Sequence, residues 1–297
     1  MDNGWNPPDL AQVVAVVTGA SRGVGRGIAL ALGDAGAVVY VTGRTTRDNP
    51  QPEGLPGTIE DTAEEVTKRG GTGVAVRCDH TADDDVARLF ERVESEHGRL
   101  DLLVNNAWPG YERMSEVPFD APFWEQPLWR YDRFAAALRA QYTASRSAVR
   151  LMLPRGHGLL VNISFTDGDV YLGQVAYDAA KSATNRMSRG MALELRRRGI
   201  ASVTLQPGFV VTERVERAGA QLGSGPAAIA HTPEYVGRAV AMLAADPEVM
   251  AVSGEVLAAG DLAEHYGFGD VDGRRPPAFR LEGRITLATR MAMLKLP

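Results

Sequence analysis

A chain of 297 residues with 44% apolar and 23% charged residues can bury a sizeable core and carries too few charges for wholesale disorder. Its formal charge of −5 gives no electrostatic footprint for nucleic acid, and a single cysteine, Cys78, excludes a disulfide framework or a thiolate metal cage. No apolar run reaches the about 18 residues that a membrane helix needs, and the N-terminus lacks the basic start and apolar core of a secretory signal, so a soluble cytoplasmic protein is expected.

Residues 13–18 form a short β-branched apolar run ending at Gly19, the pattern of a buried strand. A helix is expected over Gly23–Leu32, a second strand over Val38–Val41, and a Pro- and Gly-rich loop between Thr42 and Ile59. Glu60–Arg69 reads as a helix stopped by Gly70 and Gly71, followed by a strand at Val74–Arg77, a helix at Asp84–Glu96 and a strand at Leu102–Val104. After an aromatic-rich stretch come a helix from about Asp132 to Met152, a strand at Gly158–Ser164, a helix at Ala176–Arg198 and a strand at Ile200–Gln206. Residues 209–231 read as a loop with short helices, followed by a helix near Glu234–Ala244 and a last strand at Val256–Leu257. Strands alternating with helices predict βαβ units. The expected fold is a single Rossmann-type doubly wound α/β domain, with a mostly parallel seven-stranded sheet and helices on both faces. The domain spans 1–260, and an extension, 261–297, packs on it.

The first strand turns into the first helix through Thr18-Gly19-Ala20-Ser21-Arg22-Gly23-Val24-Gly25. Glycines here let backbone approach a pyrophosphate, and the helix N-terminus offers free N–H donors and partial positive charge. The spacing is G-x3-G-x-G, and an ordinary Gly-rich βα turn is the other reading of the motif alone. Near the end of the second strand, an acid would bind the ribose 2′-hydroxyl of NAD. This chain has Arg44 there, with Arg22 as a second cation, and a guanidinium suits a 2′-phosphate, so NADP(H) is preferred over NAD(H). With 29 arginines in the chain, a solvated surface role for either stays open.

Only three lysines occur, Lys68, Lys181 and Lys295. Lys181 follows Tyr177 by one helical turn, so both share a face, and its cation can stabilise a phenolate. Ser164 ends the fifth strand, where open α/β sheets place their chemistry.

Together the glycine loop, Asn105-Asn106-Ala107, Ser164, Tyr177-x3-Lys181 and Pro207-Gly208-x3-Thr212 resemble the short-chain dehydrogenase/reductase family over roughly residues 11–260. The tail from Asp261 to Arg274 resembles one subgroup of it. The resemblance implies an NADP-preferring oxidoreductase that reduces a ketone or aldehyde, or oxidises the alcohol, by hydride transfer. Tyr177 would be general acid/base, Ser164 would bond the substrate carbonyl, and Lys181 would tune Tyr177 and hold the nicotinamide ribose. The cofactor would be held by Gly19, Ser21, Arg22, Gly23, Val24, Gly25, Arg44, Asp79, His80, Asn105, Ala107, Pro207, Gly208, Val210 and Thr212, besides Tyr177 and Lys181.

Trp108 stands where the family has glycine, and Ala137 where it has a relay asparagine. Phe165 follows Ser164 where a second serine is common. The loss at Ala137 favours the alternative, an NADP-binding sensor or scaffold with little or no turnover; a cofactor-independent dehalogenase is disfavoured by the intact glycine loop and Lys181. The aromatics of 108–134, Trp108 and Tyr111 among them, suit a wall for a bulky apolar substrate and equally suit core or subunit packing. The five histidines show no ligand spacing, so no metal is expected. The apolar, basic tail 284–296 is expected to dock on its own fold or a partner subunit, and a homodimer or homotetramer is expected.

Overall fold

The computed structural model describes residues 5–50, 54–113, 116–165, 171–222 and 229–280. The tail 284–296 lies outside the described residues.

A seven-stranded, wholly parallel sheet forms the centre. In chain order its strands are β1 (Val14–Thr18), β2 (Val38–Gly43), β3 (Thr72–Arg77), β4 (Leu102–Asn105), β5 (Gly158–Ile163), β6 (Ile200–Gln206) and β9 (Val256–Ala258). Two-residue strands β7 (Phe209–Val210) and β8 (Ala230–His231) pair separately. The spatial order β3-β2-β1-β4-β5-β6-β9 reverses direction between β1 and β4. At such a switch point the connections leave in opposite directions and open a crevice at the strands' C-terminal ends.

Helices cover both faces: α1 (Gly23–Asp34), α2 (Ile59–Lys68), α3 (Asp83–His97), α4 (Leu128–Met152), α5 (Val175–Leu195), α6 (Glu213–Leu222), α7 (Pro233–Ala245) and α8 (Ala259–Tyr266). The central strand shows why the sheet is buried twice. Ala15 and Val17 join one core with Ile28, Leu32, Val66 and Val240, whereas Val14 and Val16 join another with Leu89, Val93, Ala148 and Met152. A strand facing helices on both sides has no polar face, so its sequence shows no alternation.

One departure from the sequence reading has a physical cause. Helix α4 begins at Leu128, earlier than expected, because Arg130 is an interior residue there. Its guanidinium donates to the carbonyls of Val117 (2.7 Å) and Pro118 (3.1 Å), tying down the loop before the helix. Residues 209–231 contain a full helix, α6, carried between the two small strands.

After α8 the chain runs back over α7. Buried Asp270 accepts the Thr232 amide (2.9 Å) at the N-cap of α7, and the Tyr235 hydroxyl donates to the Pro276 carbonyl (2.8 Å). This path brings the Phe279 ring to 5.8 Å from that of Phe165, at the crevice. No helix among the described residues is long and apolar enough to cross a membrane.

Candidate active site

The crevice is a cleft of about 800 Å³ over the ends of β1, β2, β4, β5 and β6. One end of it is backbone-built. Gly19 turns the chain with φ +67°, and a Cβ on it would lie 2.8 Å from the Ala107 Cα. At Gly25 a Cβ would meet the Asn106 side chain and the Gly19 carbonyl at 2.4 Å, so no side chain fits without moving the turn. Asn106 causes this crowding: its amide donates to the carbonyls of Thr18 (2.9 Å) and Gly19 (3.0 Å), while Thr18 Oγ1 accepts the Asn106 and Ala107 amides. The segment after β4 is thereby stapled to the glycine turn.

Asn105, one residue earlier, still lies on the strand and turns into the interior. Its amide donates to Ser145 Oγ (2.8 Å) and Asn162 Oδ1 (2.9 Å), and Asn162 continues to Ser188 and Ser202. This buried chain fixes β4, β5 and β6 against α4 and α5. The asparagine that faces the cleft is Asn106. The period-two geometry of a strand contained that distinction.

Ser21, Arg22, Gly23, Val24, Arg44, Asp79, His80 and Ala107 also line the cleft; Gly25 lies behind it. Arg22 is spread over the carbonyls of Leu55, Pro56 and Gly57 at 3.0–3.3 Å, which pins the loop before α2. Arg44 pairs with Glu112. Burial works against the Asp79 charge, but Thr81 donates to it through both hydroxyl (2.7 Å) and amide (3.0 Å), and its carboxyl titrates below the usual range. Burial pushes His80 down to about 4, so its imidazole is neutral; it bonds Thr42 Oγ1 at 2.7 Å.

The other end is aromatic. Tyr177 and Lys181 are both 6% exposed. The Trp108 indole stacks on Phe134 (centroids 5.4 Å) and meets Tyr177 edge-on at 5.7 Å. Lys181 Nζ sits 3.8 Å from the indole centroid and 5.6 Å from that of the Tyr177 ring. Burial lowers the Lys181 pKa to about 7. Burial, the neighbouring Tyr111 and a hydrogen bond to it push the Tyr177 phenol well above its ordinary value. Ser164 is buried at the end of β5 and donates to the Lys181 backbone carbonyl at 3.1 Å. Phe165 lines the cleft beside it.

Pro207, Gly208, Val210 and Thr212 close the far wall. The His231 ring holds the Pro207 carbonyl, and burial keeps that imidazole's pKa low. Ala137 is fully buried on α4. Phe134 meets Tyr177, and Gln141 accepts from Thr184 (3.0 Å). Both contacts advance along α4 and α5 together, so Ala137 stands level with Ala180 and Lys181.

Two residues lining the cleft, Glu112 and Glu213, had no sequence signal, and neither had Phe279, which the C-terminal return brings beside Phe165. Glu112 and Glu213 are ordinary surface acids by sequence, and only tertiary contact reveals their partners.

The short chain dehydrogenase family model matches residues 13–223. Over 273 residues the chain is 41% identical to Dehydrogenase/reductase SDR family member 1 of Mus musculus, covering 88% of this chain and 84% of that protein. It is 30% identical to the 3-oxoacyl-(acyl-carrier-protein) reductase FabG of Escherichia coli, covering 82% and 94%. The solved structure of a metagenomic short-chain oxidoreductase in complex with NADP superposes with a TM-score of 0.66 at 29% identity, covering 84% and 97%. The chain belongs to the short-chain dehydrogenase/reductase family of NAD(P)(H)-using oxidoreductases, in the subgroup of the first of these relatives.

Proposed function

We propose that the protein is an NADPH-dependent reductase of a ketone or aldehyde, working in reverse as an alcohol dehydrogenase. The observation that carries this reading is the buried Tyr177–Lys181 pair at one end of a cleft whose other end is a glycine turn facing Arg44. The dimensions and donor set suit a dinucleotide: backbone amides at the start of α1 for the pyrophosphate, and the Arg44 guanidinium for a 2′-phosphate. A bound nicotinamide supplies the hydride.

Tyr177 is the proton donor. Its raised pKa keeps the phenol protonated at neutral pH, which suits the reductive direction. Lys181 places a cation near the ring, favouring the phenolate left after proton transfer. The Ser164 hydroxyl must exchange the Lys181 carbonyl for the substrate oxygen, a rotation about one side-chain bond. Phe165, Phe119 and Phe279, gathered around Tyr177 and Leu172, favour a bulky apolar carbonyl substrate and exclude water from the transferring proton. Lys181, through the ribose hydroxyls, and the Pro207–Thr212 wall would hold the nicotinamide end.

A single buried cysteine fits a cytoplasmic setting, and exposed Leu128 and Tyr131 suit burial between subunits of a homodimer or homotetramer. The test is a panel of ketones and aldehydes with NADPH, followed by loss of reduced-nicotinamide absorbance. Turnover with bulky apolar members is expected. NADPH that binds and is consumed by no member would replace this reading with the scaffold one.

A further inference from the structure

Two carboxylates of the chain hold the donors that the proposed function assigns to the cofactor phosphates. At the start of α1, Glu213 accepts the Gly23 amide, with one oxygen at 2.9 Å and the other at 3.3 Å. This amide belongs to the first turn of the helix, whose N–H groups have no intrahelical acceptor and whose dipole favours an anion. Across the cleft, Glu112 pairs with Arg44, and its second oxygen lies 3.5 Å from the Arg133 guanidinium. Both acids come from segments overhanging the cleft. Glu213 opens α6, and Glu112 follows the single 3-10 turn Pro109–Tyr111. The Arg214 guanidinium, 5.8 Å from the Tyr111 ring centroid, joins the two segments.

We propose that Glu112 and Glu213 are intramolecular competitors for the cofactor phosphates, Glu112 for the 2′-phosphate at Arg44 and Glu213 for the pyrophosphate at α1. A donor held by a carboxylate must give it up before a phosphate can take it, so each contact subtracts from cofactor affinity. The two subtractions differ in kind. Glu213 opposes NADPH and NADH alike, because both carry the pyrophosphate. Glu112 opposes NADPH alone, because only that cofactor offers a phosphate to Arg44. Glu112 is therefore a specificity-determining residue that narrows the preference set by Arg44. The Glu112 half rests on the reading of Arg44 as the 2′-phosphate partner; the Glu213 half needs only the nucleotide site.

The pairs are partly exposed, with Arg44 at 31% and Glu112 at 22%. Ion pairs of this kind contribute up to about 1 kcal/mol, which corresponds to a roughly fivefold change in a dissociation constant. Calorimetric titration of NADPH and NADH into the wild type, Glu112→Gln, Glu213→Gln and Arg44→Ala reads the effect directly as binding. Glu112→Gln is expected to tighten NADPH by about two- to fivefold and to change NADH by less than about twofold. Glu213→Gln is expected to tighten both by a similar factor. Unchanged or weaker NADPH binding by Glu112→Gln would overturn the Glu112 half, since the acid would then serve to position Arg44. Unchanged or weaker binding of both cofactors by Glu213→Gln would overturn the other half. Arg44→Ala separates the two levels. If it leaves the NADPH-to-NADH ratio intact, the 2′-phosphate reading falls and the Glu112 half with it; if it collapses the ratio while Glu112→Gln changes nothing, only the competition falls.

Discussion

The two ends of the cleft are built from different materials. At the glycine-turn end the chain uses backbone and short side chains: a positive-φ glycine, a glycine with no room for a Cβ, and an asparagine amide on two carbonyls. At the chemical end it uses large rings, with Trp108, Phe134 and Phe119 all packed against Tyr177. Close backbone approach admits one residue type, so the first end is tightly specified. An apolar wall admits many sets of rings, so the second is free to vary around a fixed tyrosine and lysine. If the ends are separable in function, damage to one should spare the other.

The largest effect is expected at the chemical end. Tyr177→Phe removes only the hydroxyl and should lower kcat by about 10²–10⁴-fold while changing the NADPH Kd by less than about twofold. Steady-state rates and calorimetry on the same preparation check this, and a matching loss of affinity would break the separation. Arg44→Asp attacks the other end. A carboxylate facing the 2′-phosphate should weaken NADPH by about 10–100-fold and NADH far less. Equal losses for the two cofactors would make Arg44 a surface residue.

Lys181 sharpens the comparison through pH. Its folded pKa of about 7 lies below the about 10.4 of an unfolded chain, so between these values the unfolded state binds the extra proton. Stability therefore rises with pH across that window, and the buried cation costs most at its lower edge. Lys181→Met should melt several degrees higher than wild type at about pH 7, with the gap narrowing toward about pH 9, while losing turnover. A gap independent of pH would show that the lysine does not titrate as its burial dictates.

The smallest effect concerns Ala137, level with Lys181 on the facing helix. Its methyl cannot order a water beside the ammonium, whereas an amide can. Ala137→Asn should raise kcat by roughly a few-fold with cofactor Kd unchanged, and it should alter the solvent isotope effect. An unchanged rate and isotope effect would mean that proton supply does not limit turnover.

The same contrast decides what the sequence made legible. The sheet and its flanking helices follow from apolar runs broken by glycine and proline, and the glycine turn with Tyr177 and Lys181 stands out by spacing. Positions that depend on a partner far along the chain did not show. Arg130 looks like a solvated charge until Val117 and Pro118 offer it carbonyls. Arg22 looks like an unanchored cation until the 55–57 carbonyls hold it at the cleft. Glu112 and Glu213 gain their meaning from Arg44 and Gly23, 68 and 190 residues away in the chain.

The most direct test of the central claim is a single-turnover reaction with NADPH deuterated at the transferring carbon and a bulky apolar ketone. The account predicts deuterium on the carbinol carbon of the alcohol in the wild type, and bound but unreacted cofactor in Tyr177→Phe. Label transfer that persists undiminished in Tyr177→Phe, or none in the wild type with any carbonyl that binds, would contradict it.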